Sequence, residues 1–162
     1  MNLHEYQTKR FFNEFGIPAP AGGAAFSVKE ALNIARELGG SRWVVKAQVH
    51  AGGRGKAGGV RIVDTIAEVE QSAQALLGKP LVTHQTGPAG KPVSALLIET
   101  PSQIERELYL AAVLDRSQAA IVFMGAAEGG MEIEELAARD ANAIHRIVID
   151  PVVGLQPFLA RQ

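Results

Sequence analysis

Between Val49 and Val60 the chain reads HAGGRGKAGG, with glycine at positions 52, 53, 55, 58 and 59, and this segment constrains the fold more than any other. Glycine weakens both helices and strands, so the segment belongs to neither. The runs on either side, Trp43–Val49 and Val60–Val63, are rich in valine and isoleucine and predict strands. The expected unit is therefore two strands joined by a loop whose backbone has a special task. From Gly39 to Val63 there is no acidic residue, whereas Arg42, Lys46, Arg54, Lys56 and Arg61 are basic. Glycines let backbone N–H groups approach phosphate oxygens closely, lysine adds a compact charge, and arginine adds a fork that matches phosphate. The combination predicts a local anion site.

Two better-known phosphate motifs fail. Gly53-Arg54-Gly55-Lys56-Ala57-Gly58 matches G-x-G-x-x-G literally, but a dinucleotide fold needs a helix directly after it and Gly59-Val60-Arg61-Ile62-Val63 reads as a strand. A P-loop would need glycine where His50 stands and Ser or Thr where Ala57 stands. What is left is a glycine-rich flap over nucleotide phosphates, set against a solvated hairpin whose basic residues only aid solubility.

The rest of the chain reads as α+β. Glu5–Phe15 predicts a helix with Phe11, Phe12 and Phe15 on an apolar side, stopped by Gly16, Pro18 and Pro20. Ser27/Glu30 and Thr65/Glu68 are capping boxes that open two further helices, carrying Val28, Ala31, Leu32, Ala35 and Leu38, then Ile66, Val69, Ala73 and Leu76. Leu81–Gln85, Val93–Thr100, Arg106–Asp115 and Ala119–Met124 read as strands of one antiparallel meander. An acidic helix, Met131–Arg139, and a strand, Ile144–Ile149, follow; 156–162 reads as the start of a helix the chain does not finish.

The sequence holds 162 residues with a net charge of −1, which gives no global pull towards nucleic acid or an anionic membrane. It has no cysteine, which excludes disulfides and thiolate chemistry and fits a cytoplasmic protein. No apolar run reaches the roughly 18–20 residues that span a bilayer. Trp43 alone interleaves aromatically with the basic stretch and reads as core, so support for nucleic-acid stacking is poor.

The stretch WVVKAQVHAGGRGKAGGV resembles the N-terminal region of the β subunits of succinyl-CoA synthetases. MNLHEYQTKR, FGIPAP, LLGKPLVTHQT, ERELYLAAVLDR and GGMEIEELA extend the resemblance, in order, over nearly all of the chain. It implies the N-terminal portion of an ATP-grasp fold, in which two α+β lobes hold ATP or ADP. The expected lobes are 1–20 with 100–162, and 21–99. By position, Lys46 looks like the phosphate-contacting lysine and Gly53, Arg54 and Gly55 like the phosphate-covering loop. Glu99, Ser102 and Glu107 fall at the other nucleotide-contacting positions, Ser102 through its backbone and Glu107 towards the ribose hydroxyls. Pro20 lies where the family approaches the base and resembles the ATP-using members. Taken without the family, Glu99 and Glu107 also fit plain solvated strand charges.

The family's phosphohistidine belongs to a partner α subunit, so His4, His50, His84 and His145 are not assigned that role; His50 borders the anion loop in a structural capacity. Glu128, Glu132, Glu134 and Glu135 could suggest a metal site, but acidic residues near a helix N-terminus are common. The family's Mg2+ ligands, an Asn and an Asp, lie beyond this sequence, with a C-terminal domain that meets the α subunit. The resemblance therefore implies a chain that binds nucleotide and does not turn over alone. The parent reaction is succinate + CoA + ATP to succinyl-CoA + ADP + phosphate. Malate–CoA and citrate-type ligases share this half, and a non-catalytic nucleotide-binding module is the reading from another class.

Overall fold

The computed structural model describes residues 2–131 and 133–161, and the chain divides into two compact units, Met1–Ser102 and Gln103–Gln162. Residues up to 20 belong to the first unit, whereas the resemblance groups them with 100–162. The reason is a set of polar contacts: Tyr6 N donates to Gln48 Oε1 at 3.2 Å, and Lys9 pairs with Glu99.

The first unit is built on a four-stranded antiparallel sheet. It contains α1 (Glu5–Glu14), β1 (Gly22–Ala25), α2 (Val28–Leu38), β2 (Trp43–Gln48), β3 (Val60–Val63), α3 (Ile66–Leu76), β4 (Pro80–Leu81), β5 (Lys91–Pro92) and β6 (Ala95–Glu99). The sheet order is β1-β6-β2-β3. Alternation along the strands sends Val45, Ala47, Leu96 and Ile98 to one face, where they are buried with Ala31 and Ala35 of α2 and Val69 and Ala73 of α3. Lys46 and Glu99 point to the other face, since Val44 is the register partner of Glu99 and Leu97 that of Lys46.

Both expected helices α2 and α3 form, and their caps differ in detail. Thr65 and Glu68 close a reciprocal box, at 3.1 and 3.2 Å. Ser27 accepts from Glu30 N at 3.2 Å, but the Glu30 carboxylate accepts from Phe26 N at 2.8 Å, one residue earlier than the box requires. In α1 the expected apolar side is exposed: Phe11 and Phe12 are open to solvent and Phe15 is 79% exposed. The charged side of α1, with Glu5 and Lys9, is the one that is held.

The expected meander from Leu81 to Met124 is not what forms. All five residues of β6 are buried, and an apolar run covered on both faces belongs in the middle of a sheet. It inserts between β1 and β2, leaving β4 and β5 as a separate two-residue pair; Leu81–Gln85 contributes only its first residue to a strand. The strand β1 went unread because Gly-Gly-Ala-Ala carries no β-branched residue.

In the second unit, β7 (Tyr109–Asp115), β8 (Ala120–Ala126) and β9 (His145–Ile149) form the antiparallel meander. Asp115 shapes its first turn by accepting from Ser117 N at 2.9 Å and Gln118 N at 3.2 Å. The helix α4 (Ile133–Arg139) buries Leu136, and a 3-10 turn at Leu159–Arg161 takes the place of the expected terminal helix. Glu132 and Gln162, within those two expected helices, lie outside the described residues. No helix among the described residues is long and apolar enough to cross a membrane.

Candidate functional site

Five charged side chains meet on the sheet face opposite α2 and α3. Lys46, on β2, pairs with Glu99 at the end of β6 and with Glu5 of α1, the latter at 3.0 Å. Lys9, one helical turn after Glu5, pairs with Glu99 and approaches Glu5 at 3.4 Å. Arg54 reaches in from the glycine loop, donating Nη2 to Glu5 Oε2 at 2.7 Å and Nη1 to the Ala47 carbonyl at 2.8 Å. Glu99 is 3% exposed and Lys46 21%. A charge that far from water persists only when paired; Glu99 meets two cations and Glu5 three.

The electrostatics follow. Burial alone would raise the Glu5 carboxyl, but hydrogen bonds and charge from Arg54 and Lys46 hold it down at about 2. Burial likewise works against the Lys46 ammonium, and its bonds to Glu99 and Glu5 override this and raise it above the ordinary lysine value. The cluster sets three basic side chains against two carboxylates.

The glycine loop is folded, not slack. Gly58 N donates to the Gly55 carbonyl at 3.1 Å and Gly59 N to the Arg54 carbonyl at 2.8 Å, with Gly58 at φ +72°. This nested pair of bonds around a left-handed glycine is the Schellman arrangement. Gly52 N donates to Gln85 Oε1 at 2.6 Å, and a Cβ on Gly53 would stand 2.7 Å from His84 Nδ1. The loop thus leans on the 83–85 segment at Gly52 and Gly53, where a side chain would collide. Among the described residues the amides of Gly53, Arg54, Gly55 and Lys56 meet no hydrogen-bond acceptor. Strand β3 follows the loop, as the argument against a dinucleotide motif required.

The structure brings Lys46, Arg54 and Glu99 of the expected site into one network, with Gly53 and Gly55 flanking Arg54. Ser102 is exposed at the end of the first unit, and Glu107 is exposed in the second. A Cβ on Gly130 would collide with the Glu107 carboxylate, so this carboxylate lies directly on a glycine. Glu5 and Lys9 were not read as site residues; the one signal was an acid–base pair at i, i+4 in HEYQTK. Gly22 was missed too: its Cβ would stand 2.7 Å from Glu99 Cβ.

A cavity of 720 Å³ is lined by Lys9, Arg10, Asn13, Pro20 and Gly22, and one of 540 Å³ by Glu5, His50, Arg54 and Gln85. His50 stacks on His4 at a ring separation of 3.9 Å. Burial, then the charges of His50 and Arg54, lower His4. In the second unit Glu128 pairs with Arg139, and no group of three His, Asp or Glu able to hold a metal occurs among the described residues.

The site is thus a glycine loop between antiparallel strands, with a lysine on the strand before it and a buried acid on the neighbouring strand β6. Residues 2–162 match the ATP-grasp domain, and the chain belongs to that family. Over all 162 residues it is 66% identical to the succinate–CoA ligase (ADP-forming) subunit beta of Acidithiobacillus ferrooxidans and 54% identical to that of Nautilia profundicola. The chain spans 42% of the length of these relatives. Among solved structures, it is similar to a dinucleotide-forming acetyl-coenzyme A synthetase 1 of Ca. Korarchaeum cryptofilum in complex with coenzyme A, acetyl-coenzyme A and a phosphorylated phosphohistidine segment. That likeness has a TM-score of 0.69 at 25% identity and covers 99% of this chain and 63% of that one. An ATP citrate lyase from Methanothrix soehngenii shares the fold, with a TM-score of 0.68 at 17% identity over 95% of this chain and 36% of that one.

Proposed function

We propose that this chain is the nucleotide-binding part of the β subunit of an ADP-forming acid–CoA ligase of the succinate type. Lys46 and Arg54 grip the phosphates of ATP or ADP, and the amides of Gly53, Arg54 and Gly55 cover them. Glu99 holds Lys46 in place, Ser102 contributes its backbone, and Glu107 accepts from the ribose hydroxyls. The observation that carries this reading is the convergence of Lys46 and Arg54, from different elements, beside a folded loop whose amides lack acceptors. Backbone donors held in this way need little rearrangement when an anion arrives.

The parent reaction joins succinate to CoA with cleavage of ATP, in the cytoplasm, and the α subunit supplies the histidine that carries phosphate. Magnesium supplies charge neutralisation in phosphoryl transfer. No described residue of this chain is assigned to it. The residues here bind and orient the nucleotide; acid choice lies elsewhere.

Calorimetric titration with ADP tests the reading, using Lys46→Ala and Glu107→Ala as comparisons. Binding by the wild type, weakened about tenfold or more by Lys46→Ala, is expected, a loss of about 1.4 kcal/mol. Binding that neither substitution weakens would place the nucleotide elsewhere.

A further inference from the structure

The carboxylate of Glu5 stands between the two cations that the nucleotide reading assigns to phosphate. Its Oε1 accepts from Lys46 Nζ at 3.0 Å and its Oε2 from Arg54 Nη2 at 2.7 Å, so one planar anion bridges the two cations assigned to phosphate. Those cations come from β2 and from the glycine loop, and the bridge ties the loop to α1 across 49 residues of sequence. Lys9 sits one turn further along α1 and contacts both Glu5 and Glu99, so it remains beside Glu99 when Glu5 lets go. Nothing in the nucleotide reading needs Glu5. A carboxylate has the charge and the two-oxygen geometry to imitate one face of a phosphate.

We propose that Glu5 is a built-in phosphate mimic, which occupies the anion position between Lys46 and Arg54 and which the nucleotide's phosphate displaces on binding. The inference rests on the nucleotide reading above and adds a competitor to it. Glu5 supplies the counter-charge that keeps Arg54 of the glycine loop turned in. The same bond sets a cost on binding, since each incoming phosphate must first break two charge-assisted hydrogen bonds. Glu5 is fully ionised across the physiological range, so the competition does not relax between pH 5 and 9.

The test is titration of the wild-type chain and of Glu5→Gln with ADP, and separately with inorganic pyrophosphate. Glutamine keeps the shape and loses the charge. Tightening of both ligands by about tenfold in Glu5→Gln, equivalent to about 1.4 kcal/mol, is the expected result. Unchanged or weaker binding of ADP by a folded Glu5→Gln protein overturns the proposal, because Glu5 would then be positioning the cations. If the wild type binds ADP in a Lys46-dependent way and Glu5→Gln does not tighten it, the nucleotide reading stands and the mimic falls. If neither protein binds ADP, both fall. Should Glu5→Gln fail to fold, the wild-type protein with carboxyl-13C-labelled glutamate decides: saturating ADP must shift the Glu5 resonance, and an unmoved resonance overturns the proposal.

Discussion

Lys46 and Glu99 stand diagonally across β2 and β6, on the same face of the sheet, and their side chains form an ion pair. Diagonal neighbours on adjacent strands are within reach of a long side chain, and lysine makes up the distance. Because Glu99 is nearly inaccessible, its two lysines are what permit its charge to be there. Removing Glu99 leaves Lys46 with Glu5 alone, and removing Lys46 leaves Glu99 with Lys9 alone. Each is a single-partner state in a poorly hydrated place. We expect Lys46→Ala and Glu99→Ala each to destabilise the fold by about 2 kcal/mol, below the 3–5 kcal/mol typical of a fully buried pair. The double variant should cost less than the two single losses combined. Urea unfolding of the four proteins checks the cycle; strict additivity would mean the two side chains do not interact.

The Glu5 carboxyl provides a pH signature. Its folded value of about 2 lies below the ordinary value of 4.5, so its stabilisation is complete above 4.5 and is lost as pH falls towards 2. Lys46, raised above 10.5, contributes stability that is present below 10.5 and lost as pH rises beyond it. The stability difference between wild type and Glu5→Gln should therefore be flat from about pH 5 to 9, at up to about 3 kcal/mol, and shrink towards zero near pH 2. Thermal unfolding of both proteins across that range is the measurement.

Two loop glycines should respond differently to alanine. At Gly58 the added methyl meets open space, so only the φ of +72° is penalised, by about 1–2 kcal/mol. At Gly53, with φ +71°, the methyl also runs into the His84 ring. Gly53→Ala should cost more than Gly58→Ala, and it should weaken ADP binding by pushing the loop off the 83–85 segment. Denaturant midpoints and ADP titration of the two variants rank them.

Gly130 tests the placement of Glu107. Its φ of +70° and the contact with the Glu107 carboxylate mean that Gly130→Ala must move that side chain. If Glu107 accepts from the ribose hydroxyls, Gly130→Ala should reduce the preference for ADP over 2′-deoxy-ADP several-fold while leaving pyrophosphate affinity unchanged. Competition titrations with the three ligands read this out.

What the sequence conveyed was local. The periodicities of α2 and α3, the Thr65 cap, and the glycine loop between β-branched runs each depend on residues a few positions apart, and each forms as expected. The resemblance placed Lys46, Arg54 and Glu99, which the fold unites. The insertion of β6 between β1 and β2 is non-local, and no turn signal announces it. Glu5 and Lys9 were hidden for the same reason: their decisive partners, Arg54 and Glu99, lie 49 and 90 positions away. The phenylalanines of α1 misled because apolar spacing marks a face without saying what covers it, and the helix is held here by the ion pairs of Glu5 and Lys9.

If a nucleotide's phosphate sits on the glycine loop beside Lys46, backbone amide NMR of the 162-residue chain during ADP titration will register it residue by residue. The amide resonances of Gly53, Arg54, Gly55 and Lys56 should shift more than any others in the first unit and gain protection from hydrogen exchange. Shifts that leave these four amides unmoved while others respond would contradict it.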